Sequence, residues 1–245
     1  EPQTEAWADA AIILTTTNET AEAARTAGRI LKPDGFALTL QNGIGNIELL
    51  AAELGADRVV AGSIRSSAQR IAPGESDLTK LDPTLIGEIG QPASPRIRAL
   101  AETMDRAGFM TATTDNVLGV IWSKLIHNAA INPICAASGL VQSETAKVPE
   151  LEELRGAIVA EALAVARAEG IELEYPDPLP ALRQHVAAKS TKPSMLQHIE
   201  AGRRTEIDAI NGAIVKLAAA RGIDAPANRS IVGVIKGLER RVSLG

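Results

Sequence analysis

Aromatic residues are scarce in this chain: Phe, Trp and Tyr together make up 2% of 245 residues. Its cores must therefore be built from Ala, Leu, Ile and Val, and a hydrophobic content of 45% supplies enough of them. Cysteine is nearly missing. Cys135 stands alone, which excludes an internal disulfide and fits a reducing compartment, so a cytoplasmic setting is expected. No charge of one sign dominates. The net charge of −5, with both signs interspersed, argues against a general nucleic-acid binder, although a local basic patch is compatible with it. Long hydrophobic runs are also lacking. None reaches the ~20 residues that cross a bilayer, and the most apolar region, 119–141, is broken by Lys124, His127, Asn128 and Asn132. The three histidines, His127, His185 and His198, show no metal-ligand spacing, so a zinc site is not expected. No Gly-x-Ser-x-Gly elbow appears, which leaves serine-hydrolase chemistry unsupported.

What is present is a change of pattern near residue 115. Before it, short apolar runs at 10–15, 36–40 and 59–62 read as buried strands, separated by helical stretches at 19–31 and 47–54. Lys32-Pro33-Asp34-Gly35 reads as the turn that ends the first helix. This alternation predicts a parallel α/β sheet. Residues 64–71 and 78–89 read as extended segments around Ala72-Pro73-Gly74, which predicts an antiparallel edge to that sheet. A helix over 96–107 and a last strand over 109–113 complete this part. After it the chain reads as almost wholly helical, with helices at 116–130, 133–139, 148–169, 178–188, 194–221 and 227–239. Gly170-Ile171 and Gly222-Ile223 have the form of Schellman stops. The expected domains are 1–115 and 116–245.

Three segments stand out. In the helical stretch Trp122–Pro133, Lys124, Asn128 and Asn132 follow one another at i, i+4 and i+8. They share a face, drifting by about 40° per step. Such a face is either the solvated edge of a surface helix or a site that holds an anion and gives up a proton. Asn42-Gly43-Ile44-Gly45-Asn46 follows a predicted parallel strand at its carboxyl end, where open α/β sheets bind ligands. It lacks the third glycine of a dinucleotide fingerprint, since Glu48 stands there, and it reads equally as an ordinary βα turn. Ser194-Met195-Leu196-Gln197 has the spacing of a capping box. Downstream, Ile207, Ile210, Ile214 and Leu217 make an apolar stripe. Glu206 beside it suits either an ion pair with Arg203 or a carboxylate facing the site lysine.

Taken together, these segments resemble the ketopantoate reductase (2-dehydropantoate 2-reductase) family. The residues that carry the resemblance are Leu40–Asn46, Trp122–Pro133, and Ser194–Gln197 through Arg203–Asp208 to Asn211-Gly212. The resemblance implies a Rossmann-type NADP-binding domain followed by an all-α substrate domain. It also implies NADP(H)-dependent reduction of 2-dehydropantoate to pantoate, a step toward pantothenate and coenzyme A. By the same resemblance Lys124 is the general acid and Glu206 a second catalytic group that also lies near the nicotinamide ribose. Asn128, Asn132 and Ser194 hold the substrate, Asn42 lies near both substrate and cofactor, and Ala68 makes a backbone contact to the cofactor. The chemistry is coherent. Hydride addition to a ketone builds negative charge on its oxygen, and a lysine, charged at neutral pH at its ordinary pKa of about 10.4, can stabilise and protonate it. The implied partner is a small 2-oxo acid, with neither nucleic acid nor membrane involved and a homodimer left open.

Some residues depart from the family pattern. No Gly-x-Gly-x-x-Gly turn precedes the first strand, so the Rossmann-type domain is expected to be incomplete and the chain, beginning at Glu1, to be an N-terminally truncated fragment that is inactive by itself. Thr16 stands where a cofactor-side lysine is frequent. Gln142 and Thr191 stand where substrate-contacting or frequent asparagines are found, and His198 replaces the usual Asp. These changes keep two other readings in view: a reductase of another 2-oxo acid, and an inactive helical interaction module.

Overall fold

The structure is a computed structural model that describes residues 6–243. The outer ends of the two expected domains, 1–5 and 244–245, lie outside the described residues. Contacts divide the chain into two compact units. One is the chain up to Gln41 together with Gly45–Ile121; the other is Asn42–Ile44 together with Trp122 onward.

The first unit is built on β1 (Ala8–Ile13), β2 (Leu31–Thr39), β3 (Val59–Ser63), β4 (Ser67–Ala72), β5 (Glu75–Lys80), β6 (Thr84–Gly87) and β7 (Thr111–Thr113), with α1 (Thr20–Ile30), α2 (Asn46–Leu54) and α3 (Pro95–Arg106). A five-stranded sheet runs β1-β2-β3-β6-β7. The strands β1, β2 and β3 are parallel, as βα alternation requires. β6 is antiparallel to β3, and β7 is parallel to β6. The antiparallel step therefore lies inside the sheet, not at its edge as expected. The reversal is made by β4 and β5, which leave the sheet as a separate antiparallel hairpin.

Side-chain alternation along β2 sorts the core. Ala37 packs with Ala24, Ala27, Leu50 and Leu54 of α1 and α2 on one face. Phe36, Leu38 and Leu40 pack with Val60, Ile86 and the α3 residues Ile97, Ala101 and Met104 on the other. Both faces are thus covered, the Rossmann-type arrangement. Small alanines on the first face do the work that aromatics do elsewhere. The expected turn at 32–35 is instead drawn into β2. Ala8 pairs with Leu31 and Ala10 with Phe36, a register shift that lets Pro33 pass without a ladder bond.

The second unit holds α4 (Val117–Ser138) from Trp122 on, with α5 (Gln142–Thr145), α6 (Pro149–Ala168), α7 (Leu179–Ala188), α8 (Ser194–Glu200), α9 (Asn211–Ala220) and α10 (Pro226–Ser243). From Trp122 on, α4 is its centre: Trp122, Leu125, Ile126, Ala129, Ala130, Ile131, Ile134, Cys135 and Ala136 are all buried in one core cluster. A helix apolar on most sides is a buried one. Two expectations about helix bounds are corrected. α4 does not stop at 130 but runs through Pro133. The expected helix 194–221 is two helices, because Gly202 adopts φ +67° and Arg203 N–H donates to the His198 carbonyl at 2.8 Å, a Schellman stop. The same closure is seen at Ile171 on Ala166 (2.9 Å) and Ile223 on Ala218 (2.8 Å), where it was expected. No helix among the described residues is long and apolar enough to cross a membrane.

Candidate active site

The candidate residues of the second unit come from four places, the last of them Ser194 on α8. Lys124, Asn128 and Asn132 lie on α4, where the helix places them along one face. Lys124 and Asn128 are half-buried, and Asn132 is buried. Asn42 belongs to the turn after β2, and Glu206 to the irregular segment between α8 and α9. Asn42 Nδ2 donates to Glu206 Oε2 at 3.3 Å across 164 positions of sequence. The turn is fastened to the same segment, since Ile44 N–H donates to the Ala209 carbonyl at 3.0 Å. Gly43 has φ +77°, and a Cβ there would stand 2.5 Å from that carbonyl oxygen, so only glycine fits.

Ser194 is exposed and is the first residue of α8. The expected capping box is not formed. Pro193 is the N-cap, and Gln197 Nε2 donates instead to the Lys192 carbonyl at 2.8 Å. Arg204 reaches Asp208 at 3.5 Å, and Asp208 also accepts from Lys236 at 2.6 Å. Ala68 lies exposed on β4 in the first unit. The structure thus links Asn42 with Glu206 and aligns the three α4 residues, while Ala68 belongs to another unit. A depression of about 430 Å³ lined by Arg203, Arg204, Asp208, Lys236, Glu239 and Arg240 contains none of the candidate residues.

The positions that depart from the family pattern are themselves arranged. Gln142 Nε2 donates to Thr191 Oγ1 at 3.2 Å, whereas Gln142 Oε1 is buried without a hydrogen-bond partner. His198 Nδ1 is likewise buried and unpaired. Burial and then the nearby Arg203 guanidinium lower the His198 pKa, while Glu206 acts in the opposite sense. Beside the α4 face, His127 meets His185 edge-on at 4.8 Å between ring centroids. Burial first, then His185, pushes the His127 pKa down to about 4, against a hydrogen bond with Asn128 that favours the charged form. Sequence spacing gave no hint of this pair, because 58 positions separate its members and His185 belongs to no motif. Cys135 is buried, and burial raises its thiol pKa to about 11 even with Arg155 nearby, so it is an inert core residue.

A sheet covered on both faces, followed by a helical unit with a lysine and amides on one helix, fits the class of nucleotide-binding oxidoreductases. Comparison with known proteins makes this specific. Residues 1–91 match the model of ketopantoate reductase PanE/ApbA, and residues 116–239 match that of its C-terminal part. A 2-dehydropantoate 2-reductase of Pyrococcus horikoshii is 34% identical over 229 residues, 93% of this chain and 75% of that protein. One from Halobacterium salinarum is 30% identical over 243 residues, covering 98% and 79%. The crystal structure of a PanE/ApbA family ketopantoate reductase from Ralstonia eutropha JMP134 superposes with a TM-score of 0.88 at 29% identity, covering 97% of this chain and 78% of that one. The chain belongs to the ketopantoate reductase PanE/ApbA family.

Proposed function

We propose that this protein reduces 2-dehydropantoate to pantoate with NADPH, in the cytoplasm, as a step of pantothenate and coenzyme A formation. The observation that carries the reading is the Asn42–Glu206 hydrogen bond, which joins the turn after β2 to the unit that bears Lys124, Asn128 and Asn132. Relatives named for this reaction, matched over nearly the whole chain, support it. The residues present suit the nicotinamide end of the cofactor: an amide and a carboxylate offer a donor and acceptors to ribose hydroxyls, and Gly45, at φ +99° with open space around it, leaves room at the N-terminus of α2. Ala68 is assigned a backbone contact to the cofactor.

When bound, the reduced nicotinamide supplies a hydride to the carbonyl carbon of the substrate. The chain's own part is electrostatic and positional. The Lys124 ammonium stabilises the negative charge that develops on the carbonyl oxygen and delivers the proton that makes it a hydroxyl. Asn128, Asn132 and Ser194 orient the carboxylate and hydroxyl of the substrate without adding net charge. Glu206 holds the ribose side of the cofactor together with Asn42.

The test is NADPH oxidation with 2-dehydropantoate by the full-length protein, including whatever precedes Glu1. Turnover that depends on both supports the reading. Neither turnover nor nicotinamide binding would favour the alternative of a helical interaction module. A second reading, another 2-oxo acid as substrate, is favoured by the Gln142–Thr191 pair and its unpaired buried acceptor. A substrate panel separates the two, and a clear preference for 2-dehydropantoate ends the second. A homodimer is the proposed assembly, to be checked by light scattering.

A further inference from the structure

We infer that Asn211 is a positioning residue for Asn132, because its side chain replaces the hydrogen bond that Pro133 removes from α4. Proline has no N–H, so the carbonyl of Ala129, four residues earlier, loses its helical partner. Proline also disfavours helical backbone in the residue before it, here Asn132. Yet α4 is helical through both. The reason is found far along the chain. Asn211 Nδ2 donates to the Ala129 carbonyl at 3.1 Å, across 82 positions. Arg155 Nη1 donates to the next carbonyl, that of Ala130, at 2.5 Å. Asn211 and Arg155 are both fully buried.

The orientation of the Asn211 amide is fixed by its neighbours. Asn228 Nδ2 donates to Glu161 Oε2 at 2.7 Å and to the Ile158 carbonyl at 3.2 Å, which turns Asn228 Oδ1 toward Asn211. That oxygen receives Asn211 Nδ2 at 3.0 Å. A flipped Asn211 would set its oxygen against two acceptors. The arrangement leaves Asn211 Oδ1 buried without a partner, so an unmet acceptor is tolerated to keep the donor in place. What this chain of amides secures is the backbone at Asn132, the residue proposed to hold the substrate. The inference rests on the reductase reading for that last link alone.

A double-mutant cycle tests it. Asn211→Leu removes the donor at similar volume, and Pro133→Ala returns a backbone N–H to the Ala129 carbonyl. In the parent background Asn211→Leu is expected to raise KM for 2-dehydropantoate about tenfold while kcat changes far less. In the Pro133→Ala background the same substitution should change KM less than about threefold. Equal effects in both backgrounds overturn the inference, as does a kcat loss with KM unchanged. Hydrogen exchange of the α4 amides is the second readout and needs no ligand. Asn211→Leu should speed exchange around 129–138 only where Pro133 is retained, and additive effects count against the inference. A parent that neither reduces nor binds 2-dehydropantoate would end the functional reading, and exchange would still decide the coupling. If Asn211→Leu does not fold, Asn228→Ala, which frees the Asn211 amide to turn, takes its place with the same expected dependence on Pro133.

Discussion

In the α/β unit, buried polar side chains close on one another. Glu88 accepts from Ser94 Oγ and from two nitrogens of Arg96, each of the latter at 3.0 Å. Thr20 Oγ1 donates to Asn46 Oδ1 at 2.8 Å and accepts from Gln41 Nε2 at 2.9 Å. In the helical unit the same kinds of group are left partly open. Gln142 Oε1, His198 Nδ1 and Asn211 Oδ1 are buried without partners, against Ser63 Oγ alone in the other unit among the described residues. A buried polar atom without a protein partner is costly unless water supplies one, and the helical unit carries three of these atoms to the other unit's one among the described residues. The first unit uses its polar groups to fasten loops to a sheet. The second uses them to hold a helix and, on the reading proposed above, to receive a ligand.

Substitutions can break or sharpen that contrast. The largest effect is expected from Lys124→Ala, which should lower turnover by about 10³-fold or more, equivalent to roughly 4 kcal/mol, with far smaller changes in stability. Steady-state NADPH oxidation checks it, and near-parental turnover would remove Lys124 from the chemistry. Next is Arg155→Ala. This fully buried guanidinium donates to Ala130, Thr145 and Glu152 within the helical unit. Its loss should cost about 3–5 kcal/mol in urea unfolding, because the groups it serves stay buried.

A pH effect of up to about 3 kcal/mol follows from His127, whose folded pKa is about 4 against an ordinary value of 6.5. Between those values the unfolded chain binds the extra proton. Stability is therefore fully present above pH 6.5 and is lost as pH falls toward 4. His127→Phe should flatten the unfolding free energy over that window, and an unchanged slope would place the loss elsewhere. The smallest effect belongs to the α/β unit. Glu88→Gln should cost about 1–2 kcal/mol. Burial alone would raise the Glu88 pKa, but the hydrogen bonds from Arg96 and Ser94 outweigh it and hold it below the ordinary value. A loss larger than that for Arg155→Ala would invert the contrast between the units.

The two units also differ in how much the sequence disclosed. Parallel β1–β3 and their helices were legible because short apolar runs alternate with helical ones. The α4 face was legible because Lys124, Asn128 and Asn132 repeat at helical spacing. What was not legible depends on partners far away in the chain. Pro133 looks like a helix stop until Asn211 is seen to supply the missing donor. The stripe Ile207-Ile210-Ile214-Leu217 looks like one helix with Ser194, although Gly202 closes α8 first. Ser194 and Gln197 have capping-box spacing, yet the backbone begins α8 one residue earlier than that geometry allows. Local pattern finds elements, whereas the continuity of a helix across a proline is a tertiary fact.

The turn Asn42–Ile44 is the one piece of the first half of the chain that belongs with the helical unit. This matters to anyone who recombines such enzymes. A chimera cut cleanly near residue 120 would pair the helices of one parent with the turn of another. Gly43 would then face a foreign carbonyl at a distance that tolerates no Cβ, and Asn42 a foreign carboxylate. The inheritable module is therefore discontinuous: three residues from the amino-terminal half must travel with the carboxyl-terminal half. Crossovers that respect this should yield working hybrids more often than those placed at the obvious boundary.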